Sequence, residues 1–80
     1  MAFTVKYHPD VKNIDLPGIN VKMRERILRA IESRLMKTPE EYGVPLRKNL
    51  RGYWKLRVGD YRVVFKIDGE IVYVLGIRHR

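Results

Sequence analysis

The stretch that most constrains this 80-residue chain runs from Tyr53 to Ile67, Tyr-Trp-Lys-Leu-Arg-Val-Gly-Asp-Tyr-Arg-Val-Val-Phe-Lys-Ile. Two alternating runs flank Gly59-Asp60, a pair of turn formers, and Gly59 accepts a positive φ without steric cost. The pattern predicts a β-hairpin. Side chains alternate along a strand, so Trp54, Leu56 and Val58 share one face and Tyr53, Lys55 and Arg57 the other. On the second strand Tyr61, Val63, Phe65 and Ile67 form the apolar set, and Arg62, Val64 and Lys66 the mixed one. One side of the hairpin is therefore apolar, and the other carries Lys55, Arg57, Arg62 and Lys66. Four like charges on one open face repel one another and must be held there against that cost. A solvated strand face is the plain reading, and a site for a polyanion the sharper one.

Composition narrows the choices. Eighty residues make one small domain, 1–80, near the lower limit for a self-sufficient core. There is no cysteine, hence no disulfide and no thiolate-ligated metal. His8 and His79 lie too far apart in sequence to suggest a metal site, and no cofactor is expected. No apolar run approaches the roughly 20 residues of a membrane span, and a signal-peptide pattern is lacking, so the expectation is a soluble cytoplasmic protein with no membrane partner. The net charge of +8 is uneven: residues 1–45 hold eight Lys/Arg against six Asp/Glu, residues 46–80 nine against three. That asymmetry points to nucleic acid or an acidic protein.

Around the hairpin, Phe3 to Tyr7 alternates and reads as a first strand, ended by His8-Pro9-Asp10. Val11 to Leu16 predicts a short helical turn. Asn20 is a plausible N-cap for the main helix, which extends to about Lys37. Met23, Ile27, Ile31 and Leu35 recur every fourth residue, with Leu28 widening the stripe that packs on the sheet. Lys22, Arg26, Arg29 and Arg34 point elsewhere. Thr38-Pro39 stops the helix, and residues 40–45 read as a loop. Leu46 to Leu50 predicts a short edge strand, with Arg47, Lys48 and Arg51 clustered before Gly52. Asp68-Gly69 marks a second tight turn, and Ile71 to Ile77 a nearly all-apolar strand that suits a central position. The expected fold is α+β: an N-terminal strand, one or two helices, then a three- to four-stranded antiparallel sheet.

The order of these elements, Leu-Arg-Val-Gly-Asp-Tyr-Arg at 56–62 and the closing Val-Leu-Gly-Ile-Arg-His-Arg resemble the RelE/ParE superfamily of type II toxins, over nearly the whole chain. The resemblance implies a toxin neutralised by a cognate antitoxin, acidic or amphipathic. The RelE-like branch implies a metal-independent endoribonuclease that cuts messenger RNA on the ribosome. The ParE-like branch implies DNA gyrase as target instead. An inert RNA-binding module of the same fold is the third possibility. By resemblance, Lys55 corresponds to the family's strand lysine, a candidate base. Arg62 corresponds to the arginine after the turn, and Arg80 to the one near the end of the last strand. Tyr53 stands where some members carry a second lysine. RelE-like chains commonly continue past the last strand with a tail bearing a tyrosine that acts on the substrate, whereas this sequence ends at Arg80.

The chemistry can be asked for independently. Metal-free RNA cleavage needs the 2′-hydroxyl deprotonated, the pentavalent phosphate stabilised and the 5′-oxygen protonated. Lysine serves as base only when neighbouring cations favour its neutral form, and Lys55 sits beside Arg57 with Arg62 expected opposite. Arg62 and Arg80 can each bond phosphate oxygens bidentately. His79 has the side chain whose ordinary pKa suits an acid near pH 7, although its strand phase differs from that of Arg78 and Arg80. Tyr53 either stacks on an unpaired base or covers the sheet edge. The candidate catalytic set is thus Lys55, Arg62, Arg80 and His79. Arg47, Lys48, Arg51, Tyr53, Arg57, Lys66 and Arg78 form the candidate RNA-binding set.

Overall fold

In a computed structural model of the protein, which describes residues 3–46 and 52–79, β1 is Thr4–Tyr7. After it, residues Val11–Asp15 make a wide helical turn closed by the Leu16 N–H to the Val11 carbonyl at 2.8 Å. The main helix α1, Val21–Ala30, begins as its sequence requires: Asn20 is extended, and its side-chain oxygen accepts the Met23 N–H at 2.9 Å. A wide turn over Ile31–Leu35 continues the same helix. Ile27, Ile31 and Leu35 are fully buried, with Met23 and Leu28 at the margin, so the apolar stripe faces the sheet as predicted. Arg24 behaves differently from the other helix cations. Its guanidinium donates to the carbonyls of Leu16 and Ile19, both at 3.0 Å, and ties the entering loop to α1.

Residues 39–42 are not the expected loop. Pro39 ends one helix and starts another, because a missing N–H costs nothing at the first helical position. The result is a single turn, α2, Pro39–Tyr42, with Glu40 and Glu41 at its positive end. The edge strand comes earlier than Leu46 to Leu50: β2 is Val44–Pro45, opposite Lys55 and Trp54, with the Leu46 N–H bonded to the Tyr53 carbonyl. Proline is tolerated there because an edge strand need not donate outward. The rest of the expected edge strand, 47–50, lies outside the described residues.

The hairpin forms as read. Strands β3, Tyr53–Val58, and β4, Tyr61–Asp68, are joined by Gly59-Asp60, with Gly59 at φ 59°. The second turn sits one residue later than expected, at Gly69-Glu70, since Asp68 still pairs with Ile71. Strand β5, Ile71–His79, is interior, between β1 and β4, and the sheet order is β1-β5-β4-β3-β2. Strands β2 to β5 are antiparallel, while β1 runs parallel to β5. Leu56, Val58, Val63, Phe65, Val72, Val74 and Ile77 pack from the sheet onto Val11, Ile19, Ile27, Ile31 and Leu35. Trp54 and Phe65 stack at 6.3 Å. Among the described residues no helix covers the other sheet face.

Candidate nucleic-acid interface

The register decides which cations meet on the open face. Arg57 lies directly opposite Arg62, and Arg62 directly opposite Arg78. Three arginines therefore form one row across β3, β4 and β5. Lys55 faces Val64, not Arg62 as expected; with Arg62 two residues before Val64 on β4, the pair is diagonal. A groove of about 280 Å³ is lined by Leu46, Lys55, Arg62, Val64 and Arg78. A second, of about 290 Å³, lies beside it toward the turn, lined by Lys55, Arg57, Asp60, Tyr61 and Arg62. Lys55 is half-buried, whereas Arg57, Arg62, Lys66 and Arg78 are exposed.

Arg78 reaches this face because β5 is irregular. Phe65 pairs with Val74, yet Val64 pairs with Gly76, so Leu75 is an extra residue. Strict alternation from the buried Val72 and Val74 would turn Arg78 toward the core. The bulge reverses the phase, keeping Ile77 in the core and setting Arg78 beside Arg62. Asp15 holds this end of the strand where β1 has finished. Its Oδ2 accepts the Ile77 N–H at 3.0 Å and its Oδ1 lies 3.9 Å from Arg78. Among the described residues this is the face's one ion pair: Lys55, Arg57, Arg62 and Lys66 have no carboxylate within salt-bridge distance.

The remaining candidates are distributed differently. Tyr53 lies across from Lys66, whose Nζ is 6.0 Å from the ring centroid, at the outer reach of a cation–π contact. His79 stands opposite Tyr61 and packs edge-on against its ring at 4.9 Å, out of phase with Arg78 and away from the arginine row. Arg47, Lys48, Arg51 and Arg80 lie outside the described residues. Two features escaped the sequence reading, Asp15 and the Leu75 bulge. An acidic residue closing the predicted turn after β1 was the available signal for the first. Nothing in an apolar run announces the second.

A family model described as the ParE toxin of the type II toxin–antitoxin system parDE matches residues 5–80. Among curated proteins, Toxin RelG of Mycobacterium tuberculosis is 29% identical over 82 residues, covering all of this chain and 93% of that toxin. Toxin RelE of the same organism is 37% identical over 54 residues, covering 68% of this chain and 56% of that toxin. Among solved structures, the toxin–antitoxin complex RelBE2 from M. tuberculosis matches with a TM-score of 0.87 and 26% identity, over all of both chains. An archaeal RelE–RelB complex from Pyrococcus horikoshii superimposes with a TM-score of 0.77 at 23% identity, over all of this chain and 97% of that one, which establishes likeness of fold. With 76 of its residues matched by the family model and this fold behind them, the chain belongs to the RelE/ParE toxins of type II toxin–antitoxin systems.

Proposed function

We propose that this toxin is a metal-independent, ribosome-dependent endoribonuclease that cuts messenger RNA and so inhibits translation. The observation that carries the reading is the arginine row Arg57–Arg62–Arg78 beside the half-buried Lys55, with a single carboxylate partner among the described residues. In the reaction the RNA 2′-oxygen attacks the adjacent phosphorus, a cyclic phosphate forms and the 5′-oxygen leaves with a proton. Guanidinium pairs suit the middle of that path. Arg62 and Arg78 can each present two N–H groups to the non-bridging oxygens as negative charge builds on them. Lys55, diagonal to Arg62, is the residue we assign to take the 2′-hydroxyl proton. Arg80 adds a further phosphate contact by resemblance. Tyr53 and Lys66 line the approach, where a base can stack and a phosphate can be held.

His79 is the less favoured acid, because its ring is engaged with Tyr61 on the far side of the strand. Toxin–antitoxin complexes among the similar structures support a cognate antitoxin as partner. An acidic segment of it would neutralise the face that RNA otherwise occupies. The ParE name carried by the family model favours one competing target, DNA gyrase. A cell-free translation extract and a gyrase supercoiling assay, each given purified toxin, separate the two. Arrested translation with intact supercoiling supports the proposal, and the reverse pattern replaces it with gyrase poisoning.

A further inference from the structure

A second cationic pocket lies on the opposite side of the hairpin tip from the grooves described above. Its volume is about 230 Å³, and Arg26, Arg29, Ser33 and Arg34 line it from the helix, Arg57 and Gly59 from the hairpin. Cations toward the end of a helix favour its dipole, which accounts for Arg29 at the end of α1 and Arg34 in the turn that continues it. It does not account for Arg57, brought there by β3, nor for the way Arg26 leans on the turn. A Cβ built on Gly59 would come within 2.9 Å of Met23 Cε and 3.3 Å of Arg26 Nη1. Glycine at this position thus serves twice, for the turn and for the close approach of the Met23 and Arg26 side chains.

Among the described residues none of these four arginines is in an ion pair. Glu25, one turn before Arg29, does not pair with it. Arg57 Nε donates to the Gly59 carbonyl at 3.4 Å, and the Arg34 guanidinium lies 5.8 Å from the Tyr42 ring centroid. Neither contact supplies a counter-charge, so a recess lined by four arginines still suits an anion. The apolar lining is Ala30 and Val58, both buried, so the pocket offers no anchor for an apolar side chain. A peptide would find charge there but no burial, whereas a nucleic-acid backbone is bound through its charge alone. Arg57 lines both this pocket and the groove that holds Lys55 and Arg62. The two sites are therefore continuous around the tip of the hairpin.

We infer that the Arg26–Arg29–Arg34–Arg57 pocket is a second phosphate-binding site, gripping RNA backbone that is not cut and anchoring it around the hairpin tip from the open face. The inference rests on the reading of that face as an RNA site. Its test is binding, not cleavage. A fluorescently labelled single-stranded RNA is titrated with the full-length toxin across a range of salt concentrations. The Arg26→Gln/Arg29→Gln double variant keeps good helix formers at exposed positions, and thermal unfolding confirms that it folds. Removing two phosphate contacts, at about 0.7 each for a single strand, should reduce the slope of log affinity against log salt by about 1.4. The Lys22→Gln/Lys37→Gln variant loses the same charge outside the pocket and should keep the wild-type slope.

Equal slopes in both variants overturn the site, as does wild-type toxin that fails to bind RNA. So does a pocket variant that binds RNA normally but loses affinity for the cognate antitoxin, which would hand the pocket to an acidic protein segment. A wild-type toxin that shows the slope difference yet cuts no messenger RNA leaves the pocket standing and removes the proposed reaction instead.

Discussion

Neutralising Arg62 should stabilise the fold while disabling the site. Arg62 lies between Arg57 and Arg78 in direct cross-strand register, and among the described residues no side-chain hydrogen bond or ion pair holds its guanidinium. Like charges directly opposite on a sheet are unfavourable. For two like charges at a separation of about 8 Å in water, the repulsion is about 0.5 kcal/mol at low ionic strength. Two neighbours give about 1 kcal/mol, which for a chain of this size raises Tm by about 4–8 °C. Arg62→Gln tests it by urea and thermal unfolding at low and high salt. The gain should be present at low salt and nearly vanish at about 1 M, where the Debye length is about 3 Å. The same variant should lose about 10²–10³-fold in cleavage rate, the scale of one removed transition-state donor. A variant no more stable than wild type, or a gain independent of salt, would refute the argument that the row is held against its own repulsion.

Other perturbations probe the frame. Asp15→Ala leaves the Ile77 N–H without its acceptor and should cost about 1–3 kcal/mol in chemical denaturation, whereas Asp15→Asn should retain most of the stability by keeping an oxygen there. Gly43→Ala places a Cβ 2.5 Å from the ring tip of the fully buried Phe65 and 3.0 Å from the Pro39 carbonyl, so overpacking of about 1–3 kcal/mol should appear in the same assay. The Tyr7 hydroxyl titrates above its usual range, first because it is buried and then because of Glu32. The folded state keeps that proton longer than the unfolded chain, so this stability is fully present below about pH 10 and is lost as pH rises toward the folded pKa. Unfolding of Tyr7→Phe followed from neutral to alkaline pH should decline less steeply than that of wild type.

The hairpin was legible because its two signals agree. Strict alternation sets the faces and Gly59-Asp60 sets the register, so both the apolar side and Lys55, Arg57, Arg62 and Lys66 followed directly. The helix was legible for the same reason, with a cap at Asn20 and a repeating apolar stripe. Part of what failed was pairing between elements remote in sequence. The direction of β1 against β5 depends on a crossover whose path no local pattern records. The Leu75 bulge is invisible in Ile-Val-Tyr-Val-Leu-Gly-Ile, since every residue there suits a buried strand, yet it decides that Arg78 joins the site. Pro39 reads as a stop in the sequence and is also a start, because proline's effect depends on the side from which the helix approaches. Lys55 came out diagonal to Arg62 because Gly59-Asp60 sets Val58 against Tyr61, which places Arg57, not Lys55, opposite Arg62.

The most direct test is cleavage of a defined messenger RNA on programmed ribosomes by purified toxin, in the presence of a chelator, with products mapped by primer extension. Wild type should cut within the codon in the A site and leave free RNA intact. Arg62→Ala should fold normally and cut about 10²–10³-fold more slowly. A wild-type toxin that leaves A-site messenger RNA whole while DNA breaks accumulate with gyrase would contradict the assignment of Lys55, Arg62 and Arg78 to phosphoryl chemistry.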